Sequence, residues 1–359
     1  MKFLRLAFYV LIAQLVLSGC AGEGVEETSS SSSSEINFDA YVGRNASTRA
    51  GVTDIASLKK SGFGVFARYN HTDGAISSLM NNEHVTWNEK ENRWGYANTR
   101  YWPNEGTVDF YAFAPYLENV ELVNKPKSSE ANPTYIEFTS STSPVDLVWG
   151  AQTGQEAPTS QTLDSKVKFQ FEHVLARLGF DITVNKDLEE NGAVIQVEEV
   201  KLYGETEDEG AFDIKGYLNL DDGKWFVDPD VGTREVYTWT PTGAKDGTFK
   251  LTASQLDHTC KKIENASNSY LCIIPQEKWK KFYLQITYKV QQGTFEEEVK
   301  VKKNLLEVRN QPDVSNPSFP FEKGKAYVFH LKLSLDPIDF NISATVEDFA
   351  EGKNETMFL

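Results

Sequence analysis

Three cysteines, five histidines and scattered carboxylates are the side chains through which this chain could do chemistry, and only one stands in a recognisable setting. Cys20 follows Leu17-Ser18-Gly19, at the end of an apolar run over residues 6–17 that only Gln14 interrupts, with Lys2 and Arg5 in front. A run of this length is a signal-peptide core and is short for a bilayer span. Small residues before a cysteine make a lipobox. It predicts a signal peptide over residues 1–19, a diacylglycerol on the Cys20 thiol, cleavage before Cys20 and acylation of the new amine. Two or three acyl chains, palmitate among them, anchor stably where one does not.

The other candidates carry less. Cys260 and Cys272 can pair in an oxidising compartment or remain two buried thiols, and two cysteines make no disulfide framework. His71, His84, His173, His258 and His330 show no metal-ligand spacing, so no metal and no cofactor is expected. His173 reads as a structural histidine. Gly62-Phe63-Gly64-Val65-Phe66-Ala67 fits a dinucleotide fingerprint in letters only, because the residues themselves alternate as a strand. Asp221, Asp222, Asp228 and Asp230 lack the ligand order of a calcium loop. Glu198 and Glu199 are adjacent on a strand and so point to opposite faces. With no G-x-S-x-G and no P-loop, an enzyme is not expected. Trp87, Trp94, Trp102 and Trp149 leave one alternative, a surface lipoprotein that stacks on glycans.

These residues must be positioned by strands. The 359-residue chain is 40% hydrophobic and 12% aromatic, enough for two cores, and its net charge of -16 argues against nucleic acid as a partner. Residues 20–35 form a Ser-rich tether that could reach about 50–55 Å when extended. Ile36, Phe38, Ala40 and Val42 then alternate with polar residues and Tyr41, the period of a half-buried strand. Further strands are read at 63–69, 84–88, 93–97 and 108–114, the last stopped by Pro115. Hairpins are read around Asp221-Asp222-Gly223 and Gln291-Gln292-Gly293, and late strands over residues 327–335 and 338–346. Helical signals are confined to residues 54–60 and, more weakly, 164–168. Many short strands between turn signals predict an all-β chain of antiparallel sandwiches with a seam within residues 150–165.

Several segments together resemble the fimbrillin-like (Mfa-like) pilins of the Bacteroidetes, the subunits of type V pili. They are the lipobox at Cys20, with Glu23, Glu26 and Glu27 behind it, the first strand with Thr48-Arg49-Ala50, and Gly64-Val65-Phe66-Ala67. Next come Val108-Asp109-Phe110-Tyr111-Ala112-Phe113-Ala114-Pro115-Tyr116 and Asp146-Leu147-Val148. The second half adds Phe171-Glu172-His173-Val174-Leu175-Ala176-Arg177-Leu178, Ile273-Ile274-Pro275-Gln276, Phe321-Glu322-Lys323-Gly324-Lys325-Ala326-Tyr327 and Ala344-Thr345-Val346-Glu347-Asp348-Phe349. Their order over nearly the whole chain carries the resemblance. Phe349 departs from it, standing where the family would lead one to expect Trp.

The resemblance implies two transthyretin-like antiparallel β-sandwich domains, over residues 50–163 and 164–359, after a removable first strand and cleavage loop over 36–49. It implies a precursor lipid-anchored in the outer membrane and an arginine-specific cut, with Arg49 the first choice and Arg44 the second. Loss of the first strand would open a groove that a neighbouring subunit's strand fills, giving a head-to-tail fimbrium on the cell surface, used for adhesion to a host or bacterial receptor. Ile338, Phe340, Ile342, Ala344 and Val346 form either the donated strand or this chain's own last strand. Stalk, tip and anchor roles stay open. The physics agrees independently. A missing strand leaves unpaired N–H and C=O groups beside an open core, and an added strand answers both.

Overall fold

Strands dominate, as the alternating sequence requires. A computed structural model of the chain describes residues 34–42, 54–140, 145–159, 166–184, 192–228, 232, 234–240, 261–262, 271–278, 282–308, 319–333, 341–348 and 354–355. The first strands are β1 (Asn37–Val42), β2 (Phe63–Asn70), β3 (Ile76–Asn88), β4 (Arg93–Gly95) and β5 (Thr107–Ala114). After the short β6 (Leu122–Val123) and β7 (Tyr135–Thr139) come β8 (Val148–Gln155) and β9 (Lys166–His173). Seven of these make one sheet in the order β1-β9-β8-β5-β2-β3-β4. Residues 166–168, read as weakly helical, are the start of β9, whose strict alternation of buried and solvent-facing residues is that of a strand with one wet face. β9 lies beyond the seam expected within residues 150–165, yet it pairs with β1 and β8.

Helix α1 (Ile55–Ser61) fills the expected position before β2. Asp54 caps it, accepting from the Ser57 N–H while the Ser57 hydroxyl answers the Asp54 N–H. Those hydrogen bonds hold the Asp54 carboxyl below its ordinary pKa. β2 and β5 are buried on both faces, which explains their unbroken apolar runs. Phe63, Val65, Phe110 and Ala112 face one core, and Phe66, Tyr111 and Phe113 face another. Gly64 is required at this crossing, since a Cβ there would stand 2.7 Å from the Phe113 ring.

The second half contains β10 (Ala176–Val184), β11 (Val194–Tyr203), β12 (Phe212–Asp213), β13 (Lys215–Asn219), β14 (Trp225–Phe226), β15 (Arg234–Glu235), β16 (Tyr237–Trp239) and β17 (Lys261–Lys262). Then come β18 (Leu271–Ile273), β19 (Gln276–Lys278), β20 (Tyr283–Gln292), β21 (Phe295–Asn304), β22 (Phe319–Phe321), β23 (Lys325–Leu333), β24 (Asn341–Asp348) and β25 (Asn354–Glu355). One sheet runs β17-β10-β23-β24-β25, with β18 also on β10, and another runs β16-β11-β20-β21. They share one core, with Leu178, Ile182 and Leu331 from the first and Val200, Leu202, Leu284 and Ile286 from the second. A third sheet, β14-β13-β7-β6, combines strands from both halves of the sequence. Among the described residues most pairings are antiparallel, and two are parallel, β1 with β9 and β10 with β23.

Candidate functional site

The first strand is built into the core. Every residue of β1 is in register with β9, from Asn37 opposite Lys166 to Val42 opposite Phe171. Ile36, Phe38 and Ala40 are buried, and Val42 packs against the same cluster. The Phe38 ring lies 5.8 Å from Phe169, 5.9 Å from Phe110, 5.5 Å from Tyr96 and 6.4 Å from Phe63, so it fills the space between opposing walls of the core. Tyr41 and Asp39 face solvent, and the Tyr41 hydroxyl donates to Gln170 at 3.0 Å.

The start of the strand is also held on the side away from β9. The Ile36 N–H donates to the Arg100 carbonyl at 2.9 Å, and the Trp102 N–H donates to the Ser34 carbonyl at 3.0 Å. Glu35 bridges to Tyr101. The Tyr96 hydroxyl donates to the Ile36 carbonyl at 2.8 Å while accepting from the Arg100 N–H at 3.1 Å. Burial raises the Tyr96 pKa above its ordinary 10.0, with nearby Glu83 and Glu35 adding to the effect. β1 therefore closes a gap between β9 and the segment after β4. Burying three or four such side chains is worth on the order of 5 kcal/mol before ordering costs.

The sequence singled out His173 but not its partner. Its Nδ1 lies 3.0–3.1 Å from the two carboxylate oxygens of Asp146, and both side chains are buried. This pair joins the segments Asp146-Leu147-Val148 and Phe171 to Leu178 where the first sheet meets the second half, beside Val174, Leu175 and Cys272. Cys272 is a free, buried thiol, and burial pushes its pKa up.

The remaining candidates do not converge. Trp94 and Trp102 are buried in the first core, Lys59 covers Trp87 with its ammonium 3.8 Å from the ring, and Trp149 donates to the Leu220 carbonyl. Asp222 pairs with Lys224 at 2.9 Å, and Lys127 approaches Asp228 at 3.9 Å. Gly223, with φ +65°, lies against the Trp149 ring, which explains glycine in that hairpin. Glu198 pairs with Lys289 at 3.0 Å beside a bulge in β11. Gly62 to Ala67 cross from the cap of α1 into β2, with no helix behind them. Among the described residues no three His, Cys, Asp or Glu group as metal ligands, and no helix is long and apolar enough to cross a membrane. Cys20, Arg44, Arg49, Cys260, Ile338 and Phe340 lie outside the described residues. Ile342, Ala344 and Val346 belong to β24, which pairs with β23 of this same chain.

A profile of the fimbrillin-like family matches residues 48–348, a span that begins just after β1 and next to Arg49. Fimbrium subunit Fim1C of Phocaeicola vulgatus is 26% identical over 380 aligned positions, covering 96% of this chain and 95% of that protein. Among solved structures, a fimbrial protein from Bacteroides vulgatus superposes with a TM-score of 0.59 at 19% identity, covering 88% of this chain and 99% of the other. A candidate cell adhesion protein from Bacteroides uniformis gives 0.50 at 17% identity, with 88% and 99% covered. The all-β fold is shared with these two solved structures, and with its profile match running over most of its length the chain belongs to the fimbrillin-like family.

Proposed function

We propose that this chain is a structural subunit, stalk or tip, of a surface fimbrium that assembles by strand exchange. The observation that carries this reading is the placement of β1. It is a buried core strand whose only covalent continuation into the fold is the 43–53 segment, which contains Arg44 and Arg49. In this reading Cys20 carries the lipid that holds the precursor at the outer membrane, and the tether spans the gap to the folded body. An arginine-specific protease cuts after Arg49, with Arg44 as the second site.

Departure of β1 would uncover Phe63, Phe110 and Phe169 together with the open edge of β9. A strand from a second subunit restores both the backbone pairing and the apolar filling. Residues 338–346 offer a similar alternation of apolar side chains. In a stalk subunit this segment leaves β23 to fill a neighbour, and in a tip subunit it stays where it is. A contact of this head-to-tail kind does not close on itself, so it produces a filament. The two sandwiches implied by the resemblance serve as the rigid bodies of that filament, and adhesion to a host or bacterial receptor is its purpose.

Replacing both arginines tests the reading. Cells producing the Arg44→Ala/Arg49→Ala chain should lack the ladder of SDS-resistant polymers that the unaltered chain gives without boiling, while total protein is unchanged. An undiminished ladder would contradict the proposal.

A further inference from the structure

β21 is the last strand of the β16-β11-β20-β21 sheet, and among the described residues no strand pairs with its outer side. It is ten residues long and bears its charges in blocks, Glu296, Glu297 and Glu298 followed by Lys300, Lys302 and Lys303. The β20–β21 ladder is regular from Gln292 opposite Phe295 to Tyr283 opposite Asn304, and it turns through the two-residue loop Gly293-Thr294, with Gly293 at φ +61°. The residues flanking such a loop form a hydrogen-bonded pair, and such pairs alternate along the ladder. Glu297, Val299, Val301 and Lys303 therefore direct their backbone groups to β20. Glu296, Glu298, Lys300 and Lys302 direct theirs outward, and all four of these side chains are exposed.

We infer that this edge pairs with the same edge of a second copy of the chain, antiparallel about a twofold axis at Val299. Backbone alternation permits only registers in which the four outward residues meet one another. Centred on Val299, Glu296 meets Lys302 and Glu298 meets Lys300, each twice by symmetry. Moving the axis by one residue puts Glu298 on itself in one direction and Lys300 on itself in the other. A parallel in-register pairing sets every charge on its like. Charge complementarity thus selects one register, and like charges directly opposite are destabilising. Val299, half-buried against the core, meets its own copy at the axis, and exposed Phe295 lies over the partner strand near its end. On the sheet side Glu296 already accepts from Gln291 at 2.6 Å and lies 3.8 Å from Lys289, which orients it along the strand.

This contact is isologous and joins two chains side by side, so it requires neither the removal of β1 nor strand exchange. Between filaments it would be a lateral link.

Sedimentation velocity on the purified, uncut chain tests it. The unaltered chain should show a concentration-dependent dimer that weakens with added salt. The Glu296→Lys/Glu298→Lys and Lys300→Glu/Lys302→Glu variants, with unchanged circular dichroism, should each dimerise at least about tenfold more weakly. An equimolar mixture of the two should recover the dimer, because the four outward residues are then all positive on one strand and all negative on the other. A monomeric unaltered chain, variants that dimerise as before, or a mixture that stays monomeric would each overturn the inference.

Discussion

At the scale of single residues, two polar contacts hold what the apolar packing leaves undetermined. Tyr96 ties the first strand by its backbone, donating to the Ile36 carbonyl. Its pKa is raised by burial, so folding favours the protonated hydroxyl. The stabilisation it supplies is complete below pH 10, its ordinary value, and is lost as the pH rises through the folded-state value. Tyr96→Phe should therefore lower stability by about 0.5–1.5 kcal/mol at pH 8 in urea unfolding. The gap between the two proteins should narrow as the pH is taken above 10, and a gap that persists unchanged would contradict this assignment. Asp146 does comparable work at the junction of the halves. Asp146→Ala deprives buried His173 of its carboxylate, and the expected loss is about 3 kcal/mol in the same assay. A loss near zero would show that the pair is incidental. His173 was visible as a structural histidine from its apolar neighbours alone. Asp146 was not, because the 27 residues between them give no local sign of the contact.

At the scale of elements, β1 is a plug in the proposed reading. Its alternation was legible at once, since Ile36, Phe38, Ala40 and Val42 repeat with period two. Its partner was not, since β9 lies more than a hundred residues away and local pattern carries no information on whether a pair is parallel. Helix α1 was legible for a local reason, the reciprocal cap between Asp54 and Ser57. β3 was read only from residue 84, because Ile76 to Asn82 is largely solvent-exposed, its ladder with β2 shifts register twice, and Asn82 has φ +48°. The start of β9 was misread because Lys166 and Lys168 mask a strand whose other face is apolar from Val167 to Phe171. If Phe38 anchors the plug, Phe38→Ala should cost about 3–5 kcal/mol of docking. The amides of Asp39 and Tyr41, which face β9, would then exchange with solvent at least about 100-fold faster while those of β5 are unaffected. Uniform loosening of the whole first sheet would instead make β1 an ordinary structural strand.

At the scale of the whole molecule, the described body is a set of stacked sheets whose two ends of chain have different standing. β1 enters early, occupies an edge and is joined onward by a segment with two arginines, whereas β24 is already paired in the middle of its sheet, between β23 and β25. This asymmetry favours a subunit that accepts a strand readily and must give up more to donate one. The acidic surface, with a net charge of -16, keeps such bodies apart until a specific contact forms. In the proposed reading β1 occupies its groove only until assembly, and the N-terminus of the assembled subunit reports on this directly. Mass spectrometry of chains recovered from SDS-resistant polymers should find the N-terminus at Ala50, with β1 absent. Polymers whose chains still begin at lipid-bearing Cys20 and retain residues 36–42 would contradict the account.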